Sequence, residues 1–227
     1  MAARRLKVML AAGVTGLAMA GGALADVSVT GDIGTTGIGF HAGMPVAPNV
    51  NVRFGTGYLG YTFGGSTSSA DYALSLKAKT MDALVDWYPV QGSAFRLTAG
   101  LALNGNKIDV NAKPNGNGQY VVGGNAYSAS QVNGISGRTE FGKVAPYLGF
   151  GWGHGEKEGK GWSFSSDVGV LFQGSPRTTL DAGGCSGGAA VCSQLATDLA
   201  RERAALNDEV SRFKLYPVLR VGVSYRF

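Results

Sequence analysis

The chain has 227 residues, a formal net charge of +5, only 15% charged residues and 37 glycines. This composition fits an all-β chain or a flexible low-complexity one, and short alternations of apolar and polar residues favour the first. The positive charge gives no support to a nucleic-acid partner, because residues 1–25 hold three basic and no acidic side chains, and without them the net charge is +2.

The N-terminal segment has the parts of a secretory signal peptide. Three basic residues precede the uncharged apolar run 8–20, and residues 23–25 form a small-x-small cleavage site. The apolar run is too short and wrongly flanked for a spanning helix, and no later run approaches the ~18 apolar residues that such a helix needs. We therefore expect cleavage between Ala25 and Asp26, which leaves one exported domain over residues 26–227.

The remaining sequence alternates with a period of two, as strands with two different faces do. Seven strand candidates cover residues 34–44, 50–63, 71–88, 94–108, 139–152, 162–173 and 216–227. The turns at 45–49, 89–93 and 153–160 are short, whereas the connections at 109–138 (with a hairpin near 120–127) and 174–213 are long. An eighth strand is needed to close the sheet, and residues 26–33 are the best candidate.

After Pro176 the period changes. Leucines and other apolar residues recur every three, four or seven positions, which predicts a surface helix over about 193–212 with Ser193 as its N-cap. Cys185 and Cys192 enclose six residues just before it. In an exported chain a disulfide between them is favoured over a metal pair, because no histidine or third cysteine lies nearby.

Two features favour a transmembrane barrel over a soluble one. Aromatic residues end the apolar faces near turns, as in the interfacial girdles of outer-membrane barrels, at Trp87, Phe95, Trp152, Trp162, Tyr225 and Phe227. The opposite faces carry charges in mid-strand, at Arg53, Asp82, Asp86, Arg96, Lys143, Asp167 and Arg220. A soluble barrel would use the same alternation with its apolar face inside, but the signal peptide and the final Phe227 favour lipid outside.

Connection lengths then give the barrel a direction. Outer-membrane barrels have short periplasmic turns and long extracellular loops, so the last strand runs inward and places Phe227 at the periplasmic rim. Lys77 and Lys79 lie on an otherwise apolar strand face, where a charge costs ~2–4 kcal/mol at the bilayer midplane. We expect both lysines at or beyond the lipid headgroups, on a strand that protrudes from the membrane.

Several segments resemble small proteobacterial outer-membrane barrels of the OmpW-like and CarO-like groups, the latter proposed as small uptake channels. They are Asp86-Trp-Tyr-Pro89, Phe95-Arg-Leu-Thr-Ala-Gly-Leu101, Tyr147-Leu-Gly-Phe-Gly-Trp-Gly153, Gly169-Val-Leu-Phe-Gln-Gly-Ser-Pro176 and Ser224-Tyr-Arg-Phe227. The resemblance implies eight antiparallel strands and the outer membrane of a Gram-negative bacterium, and it supplies no catalytic residues. The last strand also resembles the signal that outer-membrane assembly machinery recognises, which makes that machinery an expected partner besides the outer-membrane lipid.

The predicted function follows from how narrow an eight-stranded barrel is. Its lumen charges either pair with one another or line a narrow polar pathway, so the leading hypothesis is a passive channel for ions or small solutes. The alternative is a structural or interaction barrel with a closed, ion-paired lumen and adhesive loops. A lipid-modifying enzyme is a remote third, because His41 and His154 have no recognisable catalytic partners and no Gly-x-Ser-x-Gly motif occurs. We predict no catalytic residue, metal or cofactor.

Overall fold

A computed structural model describes residues 26–66, 71–153 and 160–227. The predicted signal peptide with its cleavage site, the turn at 154–159 and His154 lie outside the described residues. The strands are β1 (Ser28–Gly34), β2 (Gly37–Ala47), β3 (Val50–Ser66), β4 (Asp71–Trp87), β5 (Phe95–Asn104), β6 (Lys107–Lys113), β7 (Gln119–Val122), β8 (Asn125–Ser128), β9 (Ile135–Glu140), β10 (Val144–Trp152), β11 (Gly161–Phe172), β12 (Arg177–Ala182) and β13 (Leu215–Arg226). One helix, α1 (Ala189–Val210), lies between β12 and β13.

Eight of these strands close into a ring. In antiparallel order they are β1, β2, β3, β4, β5, β10, β11 and β13, and β13 returns to pair with β1 from Ser28↔Arg226 to Gly34↔Arg220. Closure pairs the backbone groups that an open edge would leave unsatisfied. The predicted all-β, eight-stranded barrel is confirmed, and the eighth strand lies where the closure argument put it.

The barrel wall is uneven in height. The β1–β2 connection is a tight turn, in which Gly37 has a φ of 92° and approaches the Tyr58 backbone too closely for any side chain. In the same turn, Thr35 donates its N–H to the Leu219 carbonyl, and the Thr35 carbonyl accepts a hydrogen bond from the Tyr216 hydroxyl. Above Tyr58, β3 pairs only with β4, and both of these strands have 17 residues.

Above the ring, the same sheet continues the wall on one side through three further strands, β6, β9 and β12. The lower half of β4 pairs with β5, whereas its upper half pairs with β6, and β9 then joins β6 to β12. We call the upper half of β4 with β6, β9 and β12 the upper sheet. The ring strands and the upper strands are separated at Gly105, Gly142 and Gly174. The first two breaks divide the predicted continuous strands 94–108 and 139–152.

The helix begins four residues before the predicted start. Its N-cap is Gly188, without a side-chain cap, so the prediction of Ser193 as the N-cap is wrong: Ser193 is helical, and its carbonyl accepts a hydrogen bond from the Thr197 hydroxyl. None of the helices in the described part of the chain is long and apolar enough to cross a membrane.

The helix and the β7–β8 hairpin form a small domain on the inner face of the upper sheet. Their shared core buries Tyr120, Val122, Tyr127, Val132, Ile135, Leu195 and Leu199. Leu180 and Ala182 of the sheet pack against this core, and Asn207 of α1 exchanges two hydrogen bonds with the Thr178 backbone. The described residues therefore contain two separate interiors: this apolar core above and the barrel lumen below.

The barrel wall itself has the opposite polarity to a soluble protein. Its outward residues are large and apolar, with Trp162 75% and Phe164 82% exposed, whereas inward Arg96 is 3% exposed. A continuous exposed apolar band of this kind is unfavourable in water and is the arrangement that a lipid surrounding requires.

Candidate functional site

The lumen is the site that the sequence predicted, and charged side chains fill it in two neighbouring groups. Alternation along each strand points every second residue inward, so charged or titratable side chains from seven strands of the ring converge. We call these eight residues the lumen network: Asp32, His41, Arg53, Asp82, Asp86, Arg96, Asp167 and Arg220. Each is less than 10% exposed.

The first group consists of two arginines and two aspartates. Arg53 holds Asp167 through two hydrogen bonds of 2.8 and 3.0 Å, and its remaining donors lie 3.0–3.1 Å from Asp86. Arg96 reaches Asp167 at 2.9 Å and Asp86 at 3.6 Å. The Thr98 hydroxyl donates a 2.6 Å bond to Asp86. These buried charges are thus paired and hydrogen-bonded, which offsets much of the cost of removing them from water.

The second group is arranged around His41. Its Nδ1 lies 2.6 Å from Asp32 and its Nε2 3.3 Å from Asp82, so carboxylates flank both ring nitrogens. Arg220 donates to Asp82 at 2.8 Å and to the Thr36 hydroxyl at 3.1 Å. Across the lumen network four carboxylates face three guanidiniums, and His41 Nε2 also lies 3.2 Å from Arg220 Nη1.

Six of the seven predicted lumen charges are therefore brought together, and Lys143 is not. Lys143 is exposed and lies just before the start of β10, in the break that follows β9, so the alternation that predicted an inward side chain is interrupted there. Asp32 was missed because its segment is short and weakly patterned. His41 had no recognisable partner in the sequence, because Asp32 and Asp82 meet it only across strand pairs.

An apolar layer adjoins the lumen network. It buries Leu84, Ala102, Ala145, Tyr147, Leu171 and Val218 inside the ring. The Tyr147 ring lies 6.0 Å from the Arg220 guanidinium carbon, within the range of a cation–π contact. A Cβ at Gly149 or Gly169 would collide with the Tyr147 hydroxyl, so these glycines make room for the ring.

Little open volume remains at the level of the charges. At the lower end, where β1 begins and β13 ends, a cavity of about 290 Å³ is lined by residues 45–49, Asn51 and Tyr88. The next cavity inward, beside Arg53 and Arg96, measures only about 20 Å³. That is roughly the space of one water molecule, and both arginines line it.

The six predicted girdle aromatics occupy the lower end of the barrel. Phe95 lies 5.6 Å from Trp152 between ring centroids, Trp162 lies 5.0 Å from Tyr225, and Tyr225 lies 4.9 Å from Phe227. Trp87 is half exposed at the lower end of β4. These edge-on contacts form two aromatic patches on the outer surface.

Cys185 and Cys192 are joined by a disulfide, with their Cα atoms 5.7 Å apart. Because Cys192 lies in the first turn of α1, the bridge attaches the glycine-rich loop to the start of the helix. The buried carboxylate of Asp198 accepts hydrogen bonds from Tyr127 at 2.6 Å and Asn125 at 2.7 Å, which hold its pKa below the usual range. The sequence predicted the bridge but contained no signal for Asp198, because a buried carboxylate on a charged helix resembles its solvated neighbours.

Comparisons with known proteins support the fold. No protein-family model matches the chain, and no curated protein matches it. Two solved structures from Acinetobacter baumannii are similar: CarO2, with a TM-score of 0.56 and 20% identity over 89% of this chain and 98% of that one, and CarO, with 0.57 and 20% over 90% and 99%. Neither comparison supports the OmpW-like part of the predicted resemblance. The CarO-like part is confirmed at the level of architecture: the chain has the fold of CarO.

Proposed function

We propose that this protein is an outer-membrane β-barrel of a Gram-negative bacterium whose lumen is closed and whose working surface is the domain above the barrel. The apolar outer wall, the signal-peptide-like N-terminus and the CarO fold support the location. The short turns then face the periplasm, and the upper sheet with α1 faces outward. The lipid of that membrane surrounds the barrel.

One observation carries the closed-lumen proposal. The paired side chains of Arg53, Arg96, Asp86 and Asp167 cross the lumen and leave a cavity of only about 20 Å³ beside them. Separating these pairs would leave buried charges unpaired, at a cost of about 3–5 kcal/mol for each broken partner. This packing supports a closed lumen over a permanently open path for solutes.

Planar-bilayer recordings test the proposal. The wild-type protein should give no discrete conductance steps at any voltage. As a control for insertion, Arg53→Ser/Asp167→Ser removes one whole pair, keeps the net charge and should open small conducting events. Wild-type steps that change on neutralising Asp82 or Arg96 would overturn the closed lumen.

A narrow passive channel is the second candidate. The observation that favours it is the 290 Å³ cavity at the periplasmic end, which leads directly to the lumen network. A channel would need the network to rearrange, since this cavity ends at Arg53 and Arg96. The same recordings decide between the two, because a rearranging lumen would conduct without any substitution.

We further propose that β13 is the segment that outer-membrane assembly machinery recognises. It is the strand that closes the ring, and its outward Tyr225 and Phe227 lie beside Trp162 at the lower rim.

Membrane location is tested by fractionation and gel migration. The folded protein should sediment with outer membranes and migrate faster unboiled than boiled. A protein that stays soluble without detergent and migrates identically boiled and unboiled would contradict the location.

A further inference from the structure

The outer face of the upper sheet is free of other described elements. The small domain packs on the inner face, through Leu180 and Ala182. Residues of opposite parity, such as Ser75, Asp109 and Arg138, point to the other side. Because the strands run on from the ring, this outer face continues the apolar wall of the barrel.

Going up β4, β5, β10 and β11, the wall changes from apolar to charged at one level. The last apolar and first charged residues are Met81 and Lys79 on β4, Leu103 and Lys107 on β5–β6, Val144 and Glu140 on β10–β9, and Phe172 and Arg177 on β11–β12. Cross-strand pairing aligns Lys77 with Lys107, Lys107 with Glu140, and Glu140 with Arg177. With exposed Lys79 just below, four cations and one carboxylate form what we call the basic row.

One strand position above the basic row, the same face contains a polar groove of about 500 Å³. Its lining offers three hydroxyls (Ser75, Ser136 and Thr179) and the amide of Asn111, with the carboxylates of Asp109 and Asp181. Half-exposed Arg138 donates to Asp109 at 2.6 Å, and Lys77 lies 3.8 Å from the same carboxylate. Hydroxyls, amides and carboxylates suit the hydroxyl groups of a sugar, and the basic row suits a phosphate.

We propose that this face binds the headgroup of a phosphorylated glycolipid of the surrounding leaflet, with its phosphate on the basic row and its sugar hydroxyls in the groove. The inference rests on the proposed membrane location. A lipid is favoured over a soluble sugar phosphate because the basic row borders the lipid-facing wall, where an anchored headgroup is held at high effective concentration. The juxtaposition of apolar wall, basic row and polar groove matches the order of acyl chains, phosphate and sugar in such a lipid.

Lipid binding by the full-length protein in detergent micelles tests this, with native mass spectrometry as the readout. The probes are diphosphorylated lipid A, phosphatidylglycerol as an anionic lipid without sugar phosphates, and glucose 1-phosphate as a soluble phosphosugar. Lipid A should bind most tightly, and Lys107→Gln/Arg177→Gln should weaken it at least about tenfold. Arg203→Gln/Arg212→Gln, which removes two exposed cations from α1 and the turn after it, should leave binding unchanged.

The groove is tested separately from the basic row. Ser136→Ala/Asp181→Asn should reduce the preference for lipid A over phosphatidylglycerol and leave phosphatidylglycerol binding unchanged. Equal binding of both lipids by the wild type, or equal loss in the α1 control, would overturn the proposal. Binding of glucose 1-phosphate as tight as that of lipid A would show a soluble ligand and overturn the lipid assignment.

Gel migration and fractionation separate this inference from the proposed function. If the unboiled protein migrates as a folded barrel and sediments with outer membranes but shows no lipid preference, only the headgroup site is refuted. If the protein is soluble without detergent, the membrane location fails and the headgroup site with it.

Discussion

Inside the ring, large charged side chains are accommodated by glycines of the neighbouring strand. A Cβ at Gly55 would collide with the His41 ring, and one at Gly153 would collide with the Arg96 guanidinium. Small and large residues alternate in this way in narrow barrels because the lumen has little volume to share. The high glycine content, which the sequence alone presented as an ambiguous signal of flexibility, has a packing cause at these positions.

Gly55→Ala should therefore destabilise the barrel through His41 alone, since all three nearest atoms to the added methyl belong to that ring. We expect a loss of about 1–3 kcal/mol in the free energy of unfolding, typical of overpacking. In a His41→Ser background the same Gly55→Ala change should cost much less. A double-mutant cycle on urea unfolding, followed by the folded band of unboiled gels, measures this coupling; independent, additive effects would contradict it.

Asp167 joins both arginines of the first group, so its loss should be costly. Asp167→Asn leaves Arg53 and Arg96 to share Asp86, and we expect a loss of about 3–5 kcal/mol in the free energy of unfolding. The matched control is Asp109→Asn, whose partners Lys77 and Arg138 are half exposed and which should cost at most ~1 kcal/mol. Similar urea midpoints for the two variants would show that the lumen pairs contribute no more than surface ones.

Among the elements, α1 is anchored at both ends of its buried face. The disulfide attaches its first turn to the preceding loop, and Asn207 near its last turn bonds to β12. Between them, Asp198 links the helix to the β7–β8 hairpin through Tyr127 and Asn125, and burial raises the pKa of Tyr127 to about 12. The small domain is thus held by polar links in addition to its apolar core.

The Asp198 links make the stability of the small domain dependent on pH. Because folding lowers the pKa of Asp198, its contribution is fully present above the usual carboxyl pKa of about 3.9 and is lost as pH falls toward the folded-state value. After correction for the intrinsic pH dependence of amide exchange, the protection of α1 amides should therefore fall as the pH drops below about 4. Asp198→Asn should be less protected at pH 6 and change little as the pH falls, and parallel protection profiles for the two proteins would refute the assignment.

For the whole molecule, the ring and its closure could be predicted, but the upper sheet could not. The alternation around Arg96 or Arg220 predicts an inward charge without a partner, and closure predicts β1, yet neither gives the register that joins Arg53 to Asp167 across the lumen. Asp109 and Arg138 lie in segments whose polar, glycine-rich composition is typical of loops, and their strand character comes from pairing with the upper half of β4. Long-range register of this kind has no local signal in the sequence.

Assembly of the whole barrel provides a further prediction, which rests on the proposed role of β13. Phe227→Ala should lower the amount of folded, heat-modifiable protein in cell membranes, because the rim aromatic would no longer be recognised. Refolding of the purified variant into detergent should be unaffected. Among the described residues, the one aromatic contact of the Phe227 ring is its edge-on contact with Tyr225. Phe213→Ala, an exposed aromatic above the ring, is the control; equal loss in both variants, or loss on refolding, would contradict a biogenesis role.

The short β1–β2 turn has a consequence for the lipid around the barrel. Seven residues of β1 at ~3.3 Å each extend about 23 Å, and a strand tilt of about 40° reduces this to about 18 Å of height, less than the ~25 Å apolar band usual in such barrels. Cross-strand pairing places the β1–β2 turn level with Lys79, at the basic row, because Ile38 pairs with Tyr58 and Tyr58 with Lys79. The apolar wall is therefore short on both sides, and the bilayer should thin around the whole barrel. Depth-dependent quenching by brominated lipids of a fluorophore at Ile38 or at Leu103 should place both near the headgroups, and a position near the bilayer centre for either would rule the thinning out. A barrel that thins the bilayer around it would gather with other thin-walled proteins, because shared contact relieves the same deformation.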